Sequence, residues 1–447
     1  MSAAVAPAAE EAAYPSPVYG WYVVALLFIA AIISYTDRQV LSLLVDPVRR
    51  DLAISDTQIS LLIGFAFAMI YGVAGVPLGF LADRRSRRNL IAGAVLLWSL
   101  ATISCGFVHS FGQFFVCRIL IGLGEAALTP AAVSLISDYF PPQRRATALA
   151  VYFSGISVGI GGAILIGGAL LHAINAGLIA GTPLAAAPPW RLVFWLIGIP
   201  GLAWAAMVFT IREPIRRHGP APAAKATETS EPTAPNRLPL LLAPIFAAVA
   251  LAAFVDNAIA AWTPSLLIRQ FHRSPAETGM LLGTLFMIAG AVGILAGGAV
   301  ADRMARTGGW PAKARLCLIV ACIDLPFLFL VRSGHPLAVL VSVGLTYLMS
   351  GVITSAGLST IVDLAPNRSR GLATSVSFFL NVALGAGLGP TAVALTSSRV
   401  GGEGALGGAL LIVTAAGYVV IAAAMCLSLR WRARARQAWP APVAITE

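Results

Sequence analysis

A chain of 447 residues that is 58% hydrophobic and only 11% charged lies far from the roughly one-quarter charged composition of soluble domains, so it reads as a protein that crosses a bilayer many times. Its net charge of +11 would ordinarily raise nucleic acid as a partner, but the placement of the basic residues accounts for it without one. The five cysteines form no C-x-x-C pair and the five histidines are isolated, which argues against a disulfide framework or a zinc site and leaves no metal or cofactor to place.

Residues 1–20 hold two glutamates and no Lys or Arg, unlike the basic start of a signal peptide, so a cytoplasmic tail and a retained first span are expected. A spanning helix needs about 20 mostly apolar residues, and a helix satisfies its own backbone within the segment. Spans are predicted at 21–45, 57–81, 90–108, 111–137, 147–173 and 191–211, a first bundle over 21–211. The Ala-, Pro- and Thr-rich stretch "HGPAPAAKATETSEPTAPNR" marks a cytoplasmic linker over 212–238. Further spans at 239–268, 275–301, 314–331, 337–362, 371–397 and 405–429 make a second bundle over 239–431, followed by a cytoplasmic tail, 432–447. The expected class is therefore an all-α polytopic membrane protein of twelve helices in two six-helix bundles. With both termini inside, 21 of the 30 basic residues fall in inner segments and seven in outer ones, leaving Arg38 and Arg118 within the membrane.

The halves echo each other. "GFLADRRSRR" (79–88) follows the second span and "GAVADRMAR" (298–306) the eighth, while "PPQRRATALAVYF" (141–153) has a weaker counterpart in "APNRSRGLATSVSFF" (365–379). Repeated halves imply two bundles related by an axis along the membrane normal, with a site between them. Gly79 would let helices approach closely, and Asp83 at a helix end can pair with Arg84 or Arg87. With Asp302 and Arg303 in the second copy, these residues suggest a gate on the cytoplasmic face. Plain topogenic charge is the other reading, although it needs no aspartate.

The charges within spans need a reason, because an ionisable residue in a membrane helix costs several kcal/mol. At 1.5 Å per residue Asp37 lies about 24 Å along the first span, Arg118 roughly 10 Å and Glu125 roughly 20 Å into the fourth. Asp37, Arg38 and Arg118 thus share a level, and Arg118 and Glu125 share a helix face two turns apart. Burial raises a carboxyl pKa and a nearby arginine lowers it. A carboxylate whose arginine partner comes and goes can load and release a proton, and the freed arginine can hold an anionic group bidentately. Permanent Asp37–Arg118 and Glu125–Arg38 braces are the structural alternative. Asp256 and Asn257 either line a cavity or make a bundle hydrogen bond. Tyr152, Phe153, Trp262 and Tyr347 either meet an amphiphile or pack. Asp324, mid-helix beside a proline, reads as structural. "GISVGIGGAILIGG" (155–168) and "GAGLGP" (385–390) offer small faces for close or sliding contact.

"GFLADRRSRR" resembles the loop motif of the major facilitator superfamily, with Ser86 where that family usually has glycine, and "RILIGLGEAALTPA" (118–131) resembles its fourth-helix motif. "YTDRQVLS", "SDYFPPQRRATALA", "WRLVFWLIGIPGLAWAAMVFTIREPIRR" and "AWTPSLLIRQF" resemble its spinster branch; the anion:cation symporter branch is the competitor. The resemblance implies alternating access and a proton-coupling role for Asp37, Arg38, Arg118 and Glu125. It also implies a small amphiphilic substrate, exported, or in the competing branch an imported sugar acid. Protons, the substrate and the lipid bilayer are the expected partners, with no nucleic acid, and a monomer in a bacterial inner membrane. No Walker motif supplies ATP. The chain shows no intramembrane nucleophile–base pair for an enzyme and no large loop for a receptor.

Overall fold

The computed structural model describes residues 14–216, 238–365 and 370–438; most of the expected linker, the outer parts of both tails and Arg368 lie outside them. Among the described residues twelve helices are long and apolar enough to cross a bilayer. The first is Pro17–Leu43, started by Ser16, which accepts the Tyr19 amide, and by Pro17 in its first turn. The second is Asp56–Arg84, the third Arg87–Cys105, the fourth Phe111–Tyr139, the fifth Pro142–Asn175 and the sixth Pro189–Val208. The seventh is Leu238–Phe271, the eighth Pro275–Gly308, the ninth Trp310–Leu328 and the tenth Pro336–Leu364. The eleventh joins Arg370–Leu380 to Gly387–Val400, and the twelfth is Leu406–Ala438. The predicted spans lie on these helices within a few residues, apart from the longer ends of the fifth, eighth and twelfth.

Three interruptions shape the interior. The fourth helix breaks between Phe111–Glu125 and Leu128–Tyr139. Pro130 has no N–H to offer the Ala126 carbonyl, so the α-ladder cannot run through, and the Ala127 amide turns back to Gly124 instead. The second and eleventh helices each contain a π turn, Leu61–Phe65 and Asn381–Ala386. A short helix, Val45–Leu52, follows the first span and ends at Ala53 in the left-handed region, φ 52°. Ser55 and Gln58 then form a capping box that starts the second helix.

The halves meet along two seams. In the first, Ser60 lies 3.5 Å from Thr391, Gly64 sits against the Ala386 carbonyl and Gly72 against the Phe379 ring. In the second, Gly161 lies on the Gly283 carbonyl and Gly168 on Pro275 and Gly279. The glycine-rich fifth helix divides its small residues between two neighbours, since Gly155 and Gly159 contact the first helix instead. Toward the end carrying Arg84, Arg85, Arg303 and Arg306, here the basic end, the first seam stops. A Cβ at Gly75 or Gly79 would meet nothing within 4 Å. Close helix approach at Gly79, expected from sequence, is therefore not formed among the described residues.

Candidate functional site

Successive helical residues point about 100° apart, and this separates Asp37 from Arg38. Arg38 Nη2 donates to Glu125 Oε2 at 2.8 Å, an ion pair whose side chains are 11% and 1% exposed. Its guanidinium lies over three rings, Phe67 at 4.0 Å, Tyr35 at 4.4 Å and Tyr71 at 5.4 Å. Glu125 closes the first segment of the broken helix, and its Oε1 has no hydrogen-bond partner. Asp37 is wholly buried, both its carboxylate oxygens are unpaired, and Thr102 of the third helix, unpaired too, lies beside it.

Arg118 behaves differently from the expectation. It is fully buried and donates to four backbone carbonyls: Leu62 at 2.8 Å, Ile63 and Asp37 at 3.3 Å, and Arg38 at 3.4 Å. The Leu62 and Ile63 carbonyls belong to the π turn, where i→i+5 bonding disturbs the regular ladder. Arg118 therefore pins the first, second and fourth helices together. Of the two pairs suggested as braces, the structure forms Glu125–Arg38 and not a carboxylate pair between Asp37 and Arg118.

A second ionic cluster crosses the halves at the end opposite the basic one. Arg269, at the end of the seventh helix, donates Nε to Asp46 at 2.7 Å and its two terminal nitrogens to Asp56 at 2.8 and 2.9 Å. Arg49 adds a bond to Asp56 at 3.1 Å. From sequence Arg49 and Arg269 stand only among the seven basic residues of the outer segments. A usable signal was the Asp46/Asp56 pair flanking Arg49 in a loop short enough to meet the next half.

At the basic end the motif charges stay within their own halves. Arg87 is buried and pairs with Asp138 and, at 2.8 Å, with Glu213, so it does not serve Asp83. Glu213 also accepts the Ser86 hydroxyl and the amides of Arg87 and Arg88, capping the third helix as an anion favours a helix N-terminus. Burial opposes its charge, yet the Arg88 amide, Arg87 and Ser86 together hold its pKa below the usual value. The second half repeats the device: Lys313 pairs with Asp363 at 2.7 Å and lies 3.8 Å from Asp302. Asp83, Arg84 and Arg303 are exposed, and Asp83 has no ion pair among the described residues. Among the described residues these motif charges form no contact between the halves.

The aromatic candidates divide. Tyr347 is almost buried, stacked 4.7 Å from Phe286, and Asp256 is half-buried, while Asn257 returns its amide to the Ala253 carbonyl of its own helix. Phe153 is half-buried against Tyr152, which is only 1% exposed and reaches Thr129 at 3.4 Å. Trp262 is fully enclosed, and its indole N–H donates to the Pro390 carbonyl at 2.8 Å, bracing the seventh helix on the eleventh.

Two six-helix halves meeting on small-residue seams, with an ion pair buried between spans, define a multi-pass membrane carrier. The chain belongs to the Major Facilitator Superfamily, whose profile matches residues 27–390. It is 30% identical over 428 residues, 94% of each chain, to the MFS-type efflux pump of Mycolicibacterium smegmatis. It is also 30% identical to the hexuronate transporter of Bacillus subtilis, covering 90% of this chain and 92% of that one. The structure of a bacterial homologue of the human lysosomal transporter Spinster, in an inward-facing and occupied conformation, matches its fold with a TM-score of 0.79 at 24% identity, covering 96% of this chain and all of the other. The chain is thus a transporter rather than an enzyme.

Proposed function

We propose that this protein is a proton-coupled secondary transporter that exports an amphiphilic, lipid-like substrate by alternating access. The reading places the basic end and both termini in the cytoplasm of a bacterial cell, and takes the protein as an inner-membrane monomer. The observation that carries it is the Arg38–Glu125 pair inside the membrane-spanning segments, where a buried carboxylate meets a guanidinium that is 11% exposed. Protonating Glu125 removes the negative partner and frees Arg38 to hold an anionic head group, while Tyr35, Phe67 and Tyr71 around it suit an apolar tail. Losing that proton restores the ion pair and expels the anion, so proton and anion cross in the same direction. Export on this scheme is driven by the substrate's own gradient and not by an inward proton gradient. Asp37, unpaired beside Thr102, is a second proton acceptor, and Arg118 holds the frame in which both act. On this reading Arg269 with Asp46 and Asp56 closes the periplasmic end here, and Asp83 and Arg84 with Asp302 and Arg303 close the other end in the opposite state, with Arg87 bracing the first-half loop.

Likeness to an efflux pump supports export. Likeness to a hexuronate transporter over nearly the whole chain supports a second reading, import of a small sugar acid on the same arginine. Purified protein in liposomes containing a pH-sensitive dye separates them. A lysophospholipid and sphingoid panel is presented beside a sugar-acid panel, to wild type and to Glu125→Gln. Lipid-dependent proton flux lost in Glu125→Gln is the expected result. Flux with sugar acids alone selects the second reading, and flux that persists in Glu125→Gln refutes the coupling role.

A further inference from the structure

The second half carries two buried carboxyl groups that the reading above does not use. Asp256 lies on the seventh helix and Asp324 on the ninth, close enough to interact. Asp324 is wholly buried, and neither carboxyl oxygen has a hydrogen-bond partner. Asp256 is half-buried, with Oδ1 enclosed and unpaired. Neither has an ion-pair partner among the described residues. The titratable groups facing them are Tyr347 and Tyr418, with Tyr35 of the first half beyond Tyr347, and no cation.

The hydroxyls around the pair decide what it needs. Tyr418, beside Asp324, donates its hydrogen to the Thr346 carbonyl at 3.1 Å. Ser350, beside Asp256, donates its hydrogen to the Ala252 carbonyl at 3.2 Å. A hydroxyl has one hydrogen and two lone pairs. With each hydrogen already committed to a backbone carbonyl, both oxygens turn lone pairs toward the carboxyl groups. An ionised carboxylate facing lone pairs in an apolar interior is repelled and unsolvated, whereas a carboxylic acid would donate to them. The Thr346 hydroxyl, also wholly buried beside Asp324, has no partner; its hydrogen is uncommitted, so it can donate to a carboxylate or accept from an acid and does not decide between them.

We propose that Asp256 and Asp324 form a second proton site, separate from Glu125, in which Asp324 holds a proton and half-buried Asp256 relays it to water. The transfer is one proton: Asp256 takes it from hydronium and passes it to the Asp324 carboxylate, and the return runs in reverse. Each half would then carry its own buried acid. The proposal does not rest on the substrate or the direction of transport.

Infrared difference spectroscopy on the purified full chain tests it, because a protonated carboxyl has a carbonyl stretch well separated from that of a carboxylate. At neutral pH wild type should show a buried carboxylic-acid band, insensitive to exchanging choline for sodium, that loses one carboxyl's intensity in Asp324→Asn and survives in Glu125→Gln. In Asp256→Asn the Asp324 band should remain while its hydrogen–deuterium exchange slows about tenfold or more. An unaltered band in Asp324→Asn shows that Asp324 is ionised and overturns the proposal. So does a band that sodium converts to carboxylate, since the site then takes a metal cation, and so does unchanged exchange in Asp256→Asn. Should Asp324→Asn fail to fold, the sodium and Asp256→Asn results still decide.

Discussion

Replacing Arg269 with alanine should release the end of the molecule opposite the basic one. The guanidinium makes three charge-assisted bonds across the halves, and the side chains of Arg269, Asp46 and Asp56 are 13%, 13% and 17% exposed. Hydrogen bonds to charged groups contribute about 1.5–3 kcal/mol each, but water replaces them when the halves separate, and Arg49 stays on Asp56 at 3.1 Å. A net bias of about 2–4 kcal/mol toward this conformation is therefore reasonable, equivalent to about 30- to 700-fold in population. The assay is maleimide labelling of Ser60→Cys, a position fully buried beside Thr391, in a background without the exposed Cys322. Labelling should rise about tenfold or more in Arg269→Ala. Arg273→Ala should leave it unchanged, because Arg273 is half-exposed and its 3.8 Å partner Glu277 lies in the same half. Equal labelling in wild type and Arg269→Ala would show that the cluster does not hold the seam.

Arg118→Ala strips four carbonyls of a buried donor and should cost about 1–3 kcal/mol, read as a lower unfolding temperature in detergent. Arg118→Lys should rescue little, since a compact ammonium does not span the fork. Gly161→Leu should abolish transport and increase the same Ser60→Cys labelling, because its Cβ would collide with the Gly283 carbonyl; Gly162→Leu, where a Cβ meets nothing within 4 Å, is the matched control. Glu213 has a folded-state pKa below its ordinary value of about 4.5, so its stabilisation is present above that pH and is lost as pH falls through the lowered folded value. Glu213→Gln should flatten that acid limb of the unfolding-temperature profile while lowering stability at neutral pH.

Helix count and the approximate position of every span were legible because apolar length is a one-dimensional property of the chain. Asp37, Arg38, Arg118 and Glu125 were visible for the complementary reason: charge stands out inside apolar runs. Their pairing was not legible. Arg118 satisfies itself on carbonyls that exist for it because the second helix takes a π turn at Leu61–Phe65, and no residue there announces one. Arg87 looked like a partner for Asp83 four residues away, yet Asp138 and Glu213 arrive from the fourth helix and beyond the sixth, contacts that only the tertiary arrangement creates. Trp262 carried no mark distinguishing a cavity wall from a brace. Arg269 was read by its side of the membrane rather than by what stands opposite it.

The seam between the fifth and eighth helices has a kinetic consequence. Gly161 and Gly168 press against Gly283, Gly279 and Pro275, so much of the contact is backbone on backbone. Interlocked side chains must leave their rotamer wells before two surfaces can part, whereas glycine has no χ angle to turn. A surface of this kind peels rather than unlatches, and its resistance grows smoothly with distance. The steep part of the opening barrier then falls on the Arg269 cluster, whose groups find water as soon as they separate. Salt screens charges that water reaches, so it acts on the separated cluster more than on the closed one, whose side chains are only 13%, 13% and 17% exposed.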